Sequence, residues 1–359
     1  MRIVHINYDA TWSGGASIAM LRMHRKMRAE GIDSQIVCIC NADEPGAVLH
    51  RRGWARGLLL FTSRVIMKVL FGHCRSTGLF PSGLPERVNA LNPDKVIIHW
   101  IQNDVMSVAE LKEIKAPMEW YFHDLWPIRG LTPCDYYKVP RRMRGLDRLV
   151  RRQRRRVIQS LKGRLTPLCA SQWVAKAIRE SACFEGFEPR LVSLTVEPCF
   201  TPRARGANTS HDKFTILAGA CKGVLNGIKG LDRLFAAIEL LTDQERTQIK
   251  VVVFGEEGAR RKIAGVPVEC VGWKMDEELA DLYRSADVFA FPSHEETYGQ
   301  TKLEALACGI PVIAFDETAC AEGIVHKQTG WISPPNDLAD YAEGIRHYLR
   351  QCTTFDSLA

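Results

Sequence analysis

Short apolar, β-branched runs recur along the chain, separated by stretches whose hydrophobic positions repeat at helical spacing. Arg2–Tyr8, Ser34–Cys40, Lys95–Ile101, Glu119–His123 and Leu165–Ala170 read as buried strands with helical patterns between them. The alternation restarts with Phe214–Gly219, Lys250–Gly255, Val268–Val271, Asp287–Pro292 and Pro311–Phe315. Continuously apolar strands separated by helices predict two parallel sheets, each covered by helices. Between the two series lies the polar stretch Thr201–Lys213, with Pro202, Gly206, Asn208 and Ser210. It predicts an N-terminal domain over 1–200, a linker over 201–213 and a C-terminal domain over 214–359. Doubly wound domains bind ligands at the carboxyl ends of their strands, so a cleft between the two domains is expected.

The most apolar long segment, Trp54–Phe71, is interrupted by Arg56, Arg64 and Lys68, which keeps it from spanning a hydrocarbon core. It reads as an amphipathic helix, packed on its own domain or lying at a membrane interface. No charged region, apolar run and small-residue cleavage site open the chain, which points to the cytoplasm. With 46% hydrophobic and 25% charged residues, composition excludes disordered and fibrous classes. A net charge of +7 favours phosphate-bearing substrates, nucleic acid or an anionic membrane without choosing among them. The 12 cysteines are scattered, no CxxC pair occurs, and no Cys/His/acid cluster has zinc spacing, so buried reduced thiols and no metal are expected.

The richest segment runs from Pro292 to Ile313, PSHEETYGQTKLEALACGIPVI, and reads as strand end, loop, helix and strand. Gly299 stands at the helix start, and Gly309 with Pro311 ends the helix. The helix N-terminus therefore opens at a strand's carboxyl end, where free amides and the positive dipole end suit an anion such as pyrophosphate. Glu296 precedes this helix and Glu304 lies about 6 Å along it at 1.5 Å per residue. Two acceptors flanking an anion site suit a sugar on one side and a ribose on the other. Two solvated surface carboxylates are the bland alternative.

This segment resembles the signature of the family 4 retaining GT-B glycosyltransferases: PSxxE, a glycine shortly after, then ExxACGxPV. Further segments carry the same resemblance. Trp12–Ser17, with Gly14 and Gly15, forms a glycine-rich turn after the first strand, where family members face the donor phosphates. It lacks the GxGxxG spacing of dinucleotide dehydrogenases. Lys222 and Lys229-Gly230, followed by amphipathic Leu231–Leu241, resemble the family's basic pair; Arg is usual at the position of Lys222. His123-Asp124-Leu125-Trp126 resembles the HDxW segment of colanic-acid-type exopolysaccharide transferases, which place the histidine beside the transferred sugar. Ala170-Ser171-Gln172-Trp173 resembles the family's serine-tryptophan turn.

The resemblance implies a GT-B fold of two Rossmann-like domains. It implies transfer of a hexose from a UDP- or GDP-sugar to a hydroxyl of a glycan or lipid-diphosphate-linked acceptor in surface polysaccharide biosynthesis, with retention and without metal or cofactor. Glu296, His123 and Lys229 would be catalytic. Gly14, Gly15, Lys222, Tyr298, Gly299, Gln300, Thr301 and Glu304 would bind substrate. Lys222, Lys229 and the amides after Tyr298 would stabilise the departing diphosphate, Glu296 would hold the sugar and Glu304 the ribose.

Nine arginines between Arg141 and Arg156 stand against Asp147 alone. They read as an anionic-membrane or acceptor patch, a solvated helix face or, last, a nucleic-acid surface; without an aromatic-interleaved basic motif, nucleic acid is not expected as a partner. A peripheral location at the inner face of the membrane follows from the first reading. The runner-up functions are a nucleotide-sugar 2-epimerase of the same fold and a non-catalytic acceptor-binding partner. Relatives carry a crossover helix beyond the final helical stretch Asp337–Arg350, and here it reads as short or missing.

Overall fold

A computed structural model of the 359-residue chain describes all residues except 13, 52, 72–76, 104, 203–211, 220–226, 259–260 and 357–359. The chain divides into two compact units, Met1–Thr195 and Val196–Ala359. Most of the linker expected over 201–213 lies outside the described residues, as does Lys222.

The N-terminal unit contains strands β1 (Arg2–Ile6), β2 (Asp33–Cys38), β3 (Ala47–Leu49), β4 (Lys95–Ile98), β5 (Met118–Tyr121), β6 (Leu165–Cys169) and β7 (Arg190–Leu191). They form one parallel sheet in the order β3-β2-β1-β4-β5-β6-β7. Helices α1 (Gly15–Ala29), α2 (Trp54–Phe71), α3 (Leu84–Ala90), α4 (Arg144–Gln159) and α5 (Gln172–Arg179) accompany it. Alternate strand residues point to opposite faces. Val4, Ile6, Val96, Ile98 and Trp120 pack beneath Val88 of α3, Val157 of α4 and Ile178 of α5. On the opposite face Ile36 and Cys38 meet Met20 and Leu21 of α1.

The C-terminal unit repeats the plan with β8 (Phe214–Gly219), β9 (Ile249–Phe254), β10 (Arg261–Ile263), β11 (Val266–Cys270), β12 (Val288–Phe291), β13 (Val312–Phe315) and β14 (Gly330–Ser333), ordered β10-β11-β9-β8-β12-β13-β14. All pairs are parallel except β10 with β11, a short edge hairpin. Its helices are α6 (Leu231–Glu239), α7 (Asp243–Gln248), α8 (Asp276–Arg284), α9 (Gln300–Ala307) and α10 (Leu338–Asp356). Ile216, Val251 and Ile313 bury against α6 and α10, whereas Leu217, Phe289 and Val312 bury against α8 and α9. The helix expected over Asp337–Arg350 thus runs on to Asp356 and packs on α6, β13 and β14 of its own unit.

All ten expected strands are present, most of them a residue or two shorter at the carboxyl end than the apolar pattern implied. The apolar run continues past the sheet because the next residues turn inward to build the strand-end loops. His123 accordingly lies two residues beyond β5 rather than within it. The edge strands β3, β7, β10 and β14 were not expected; each has two to four residues, too short for a period-2 pattern to register.

Candidate active site

In the C-terminal unit the motif from Pro292 to Ile313 folds as β12, loop, α9 and β13. Gly299 precedes α9 at φ +89°, and a Cβ there would lie 2.4 Å from Cζ of Phe291. Only glycine lets the chain turn at this point so close to the end of β12. The helix closes with Ile310 N donating to Ala305 O and Gly309 N to Leu306 O, both at 3.0 Å, the pairing of a Schellman cap. No acidic residue sits in the first turn of α9, so no side chain of its own offsets the positive end of its dipole. Gln300, the first residue of the helix, has a buried Nε2 without a hydrogen-bond partner among the described residues. A buried amide donor left without an acceptor is costly, and one at a helix N-terminus is poised for an incoming oxygen.

Glu296 lies in the loop before α9. Its Oε1 accepts from Nζ of Lys229 and, at 3.2 Å, from Oγ of Ser293, while its backbone N donates to Oγ1 of Thr318 at 3.0 Å. The Lys229–Glu296 ion pair is mostly sheltered from solvent. Lys229 is brought there by Gly230, whose positive φ of +66° and missing Cβ allow approach to the Pro292 carbonyl; a Cβ would lie 2.1 Å from that oxygen. Four residues into α9, Glu304 is 4% exposed, and its Oε2 accepts from the Tyr283 hydroxyl at 3.2 Å. Tyr298, half-buried, carries the ammonium of Lys302 over its ring at 4.8 Å, and burial raises its phenol pKa. Thr301 is half-buried in the first turn. The structure therefore gathers Lys229, Glu296 and the start of α9 at the carboxyl ends of β8 and β12.

Two cations to which the sequence alone assigns no role, Arg233 and Lys302, hold this arrangement. The buried Arg233 of α6 makes a bidentate pair with Glu317 at 2.8 and 2.9 Å. It also donates to Asn336 Oδ1 at 2.6 Å and to the carbonyls of Pro292 and Ser293 at 3.3 and 3.4 Å, with its guanidinium 3.9 Å over the Phe315 ring. One side chain thereby ties together the loops after β12, β13 and β14. Lys302, 1% exposed, donates to the carbonyls of Ala319 and Glu322 at 2.8 and 2.6 Å, and burial lowers its pKa to about 8. The only sequence signal for either cation was its presence on the inward face of an amphipathic helix.

In the N-terminal unit Gly14 caps α1 in an extended conformation and Gly15 begins the helix; a Cβ on either would meet nothing within 4 Å. The preceding loop is fastened by Asn7, which donates to Asp9 O and Ser17 Oγ at 2.9 and 3.0 Å and accepts from Trp100 N at 3.1 Å. Asp124 fastens the next loops, accepting from Trp100 Nε1 at 3.1 Å, from Gln102 Nε2 and from Trp126 N at 2.8 Å. A hollow at these strand ends is lined by His99, Trp100, Gln102, Tyr121, His123 and Asp124. His123 stacks on Tyr121 with ring centroids 4.8 Å apart, and its Nε2 meets Nδ1 of His99 at 2.8 Å. Burial depresses its pKa to about 3, so the ring is neutral at pH 7. Ser171 of the serine-tryptophan turn is an N-cap, accepting from Val174 N at 3.2 Å.

The arginine stretch is not one uniform patch. Asp147 is buried, accepting from Leu131 N and Arg151 Nε at 2.8 Å, and Arg154 is buried 3.6 Å over the Trp126 ring, donating to Arg129 O at 2.5 Å. Arg144, Arg148, Arg152 and Arg155 form an exposed stripe along α4. Among the described residues no group of three or more His, Cys, Asp or Glu side chains is placed to hold a metal ion.

Residues 209–353 match the family described as Glycosyl transferases group 1. The match falls within the C-terminal unit, which is similar to that family over most of its length. Among curated proteins, O-antigen chain mannosyltransferase B of Escherichia coli is 30% identical over 144 residues, 38% of this chain and 36% of that protein. The chain spans between 16% and 39% of the length of the curated relatives it matches. Among solved structures, sucrose-phosphate synthase from Thermosynechococcus elongatus superposes with a TM-score of 0.71 at 17% identity, covering 97% of this chain and 90% of that one. HepE of Anabaena in complex with UDP-glucose gives 0.64 at 14%, covering 98% and 91%. At such identities the likeness shows the fold alone, and it covers the Rossmann-like sheets of both units.

Proposed function

We propose that the chain transfers a hexose, with retention, from a nucleotide-sugar to a hydroxyl of a glycan or lipid-linked glycan acceptor. The observation that carries this reading is the sheltered Lys229–Glu296 pair in front of an α9 N-terminus whose Gln300 donor has no partner among the described residues. Before substrate arrives, Glu296 serves as counter-ion to Lys229. A bound diphosphate takes over that ammonium and the amides of α9, freeing the Glu296 carboxylate for hydroxyls of the sugar. Charge then develops on the leaving diphosphate where fixed donors already stand, which is where preorganised electrostatics lower a barrier most. Glu304, steadied by the Tyr283 hydroxyl, accepts from a ribose hydroxyl. Gly14 and Gly15 add contacts to the donor, Tyr298 and Thr301 line its path to α9, and His123 accepts a sugar hydroxyl. Retention and independence of metal are part of the proposal, drawn from the family resemblance; UDP is the favoured nucleotide because HepE is solved with UDP-glucose.

The acceptor end of the proposal is an anionic lipid surface. Along α2, Trp54, Leu58, Phe61, Val65 and Val69 are exposed and recur at helical spacing, forming one apolar stripe. No acidic residue occurs between Glu44 and Glu86, while Arg51, Arg52, Arg56, Arg64, Lys68 and Arg75 do. An exposed apolar stripe in a purely cationic segment fits a membrane interface bearing negative headgroups, and the arginine stripe of α4 adds to that charge. No helix among the described residues is long and apolar enough to cross a membrane.

Calorimetric titration with UDP, GDP and ADP, paired with turnover of UDP-glucose, tests the donor site. Glu296→Gln is expected to lower turnover about 10²–10³-fold while nucleotide affinity holds, and Glu304→Gln to weaken nucleotide binding chiefly. Equal small effects of both would sink the assignment. Release of a rearranged sugar without acceptor would instead support the epimerase.

A further inference from the structure

Four histidines and a serine of the N-terminal unit stand in one unbroken hydrogen-bonded line. His24 of α1 places Nε2 3.0 Å from the carbonyl of Pro45 and Nδ1 2.8 Å from Oγ of Ser34 on β2. The same hydroxyl lies 3.1 Å from Nε2 of His5 on β1. His5 Nδ1 is 3.0 Å from Nε2 of His99, just past β4, and His99 Nδ1 is 2.8 Å from Nε2 of His123, just past β5. Strand register explains the alignment: Ile3 pairs with Ser34, His5 with Ile97, and Ile97 with Glu119, so these residues share one face at every second position. His5, His24 and Ser34 are fully buried and His99 is 3% exposed. A line of polar groups in a sheet interior is tolerable only if each is satisfied, and both ring nitrogens of His24, His5 and His99 are.

The direction of every bond follows from one end. A carbonyl only accepts, so His24 carries its proton on Nε2 and leaves a lone pair on Nδ1. Ser34 must then donate to His24 and accept from Nε2–H of His5. His5 Nδ1 therefore accepts from Nε2–H of His99, and His99 Nδ1 from Nε2–H of His123. We propose that this line, anchored on the Pro45 carbonyl, holds His123 as the Nε2–H tautomer and fixes its Nδ1 as the hydrogen-bond acceptor for a hydroxyl of the sugar. His24, Ser34, His5 and His99 are positioning residues; none touches substrate. The assignment needs neutral rings, and burial supplies them, lowering the pKa of His24, that of His5 to about 3 and that of His99 well below 6.5, with the neighbouring rings adding to the effect on His5 and His99. The inference deepens the proposed contact between His123 and the sugar, and rests on it.

Long-range ¹H–¹⁵N spectra of the ¹⁵N-histidine-labelled full chain read each tautomer without substrate. All four rings are expected with protonated Nε2 and bare Nδ1 at pH 7; a protonated Nδ1 on His123 or His99 overturns the inference. Ser34→Ala breaks the line in the middle, so that His5, His99 and His123 can reverse together at equal cost. It is expected to produce mixed tautomers at His123 and a fall in kcat of about 10–100-fold, by analogy with the loss of groups that orient metal-bound imidazoles. Ser34→Thr, which keeps the hydroxyl, should restore both. Should Ser34→Ala not fold, the wild-type spectra still decide. Comparison with His123→Ala separates the two claims. If His123→Ala abolishes transfer while Ser34→Ala leaves it untouched, the positioning line is overturned and the contact stands. If neither change matters, the contact itself has failed.

Discussion

The two units repeat one doubly wound plan, yet the polar groups beside their candidate site residues are held by different chemistry. The C-terminal unit uses charge: Arg233 with Glu317, Lys229 with Glu296, and the buried ammonium of Lys302 against two carbonyls. The N-terminal unit buries charge at Asp147 and Arg154 of α4, but across its central strands it uses neutral rings: His24, His5 and His99, joined through Ser34 and ending at His123. Fixed cations belong where a diphosphate is to be held, because their attraction is strongest where water is excluded. Neutral imidazoles suit a site that recognises hydroxyl groups by direction, since a ring with a fixed tautomer distinguishes donors from acceptors without attracting bulk charge.

The largest effect expected from this contrast comes from unpairing a buried charge. Arg233→Ala removes the partner of Glu317 and the donors to Pro292, Ser293 and Asn336, and should lower stability by about 3–5 kcal/mol in urea unfolding. Arg233→Met combined with Glu317→Leu removes both charges and should cost far less, since neither ion is left unpaired. Equal losses for the single and double changes would mean that the pair contributes shape rather than charge balance.

Acidification should bear hardest on the other unit, where His5, His24, His99 and His123 have lowered pKa values against His294 in the C-terminal unit. The folded pKa values of His5, His99 and His123 lie below the ordinary 6.5, so between pH 6.5 and about 3 the unfolded chain binds protons that the folded one refuses. Their contribution is complete above pH 6.5 and is lost as pH falls towards 3. Each such ring lowers stability by about 1.4 kcal/mol per pH unit once pH is well under 6.5. Thermal unfolding at intervals from pH 7.5 to 5 separates the histidines, His24 and His294 included, from exposed carboxylates, which titrate lower. A flat profile over that window would show that these rings take up protons at the same pH in the folded and the unfolded chain. His5→Phe combined with His99→Phe should flatten the slope.

The sequence disclosed the parts of this contrast unevenly, for physical reasons. Central strands and the Pro292–Ile313 motif were readable because apolar runs, Gly299, Gly309 and two glutamates act through local spacing. His123 was readable by its place after an apolar run, and the same signal, Val-Ile-Ile-His before Trp100, was available for His99. His5 was hidden because a histidine inside Arg2–Ile6 has no meaning until sheet register brings Ser34 and His99 beside it. Arg233 and Lys302 were hidden for a related reason: a basic residue on a helix reads as solvated until Glu317 or a distant carbonyl proves to lie inward. The arginine run looks uniform in sequence, whereas Arg154 and Arg151 serve the fold and Arg144, Arg148 and Arg152 face outward.

The smallest stability effect is expected where the N-terminal unit spends apolar surface outside its core. Leu58, Phe61 and Val65 on α2 are 57%, 63% and 44% exposed, so Leu58→Glu, Phe61→Glu and Val65→Glu together should shift stability by about 0.5 kcal/mol or less per site. The same triple change should abolish co-sedimentation with phosphatidylglycerol vesicles, by removing the inserted side chains and placing carboxylates against anionic headgroups. Arg144→Ser, Arg148→Ser and Arg152→Ser on α4 should weaken binding by about 1 kcal/mol each, an effect that added salt mimics in the wild type. Vesicle binding that survives the α2 change would move the lipid contact to α4. A wild-type protein that ignores vesicles yet self-associates, and turns monomeric with the triple change, would make the stripe an interface between copies of the chain. Transfer to a soluble acceptor should be unaffected in either set of variants, because no residue assigned to donor or sugar lies on these faces.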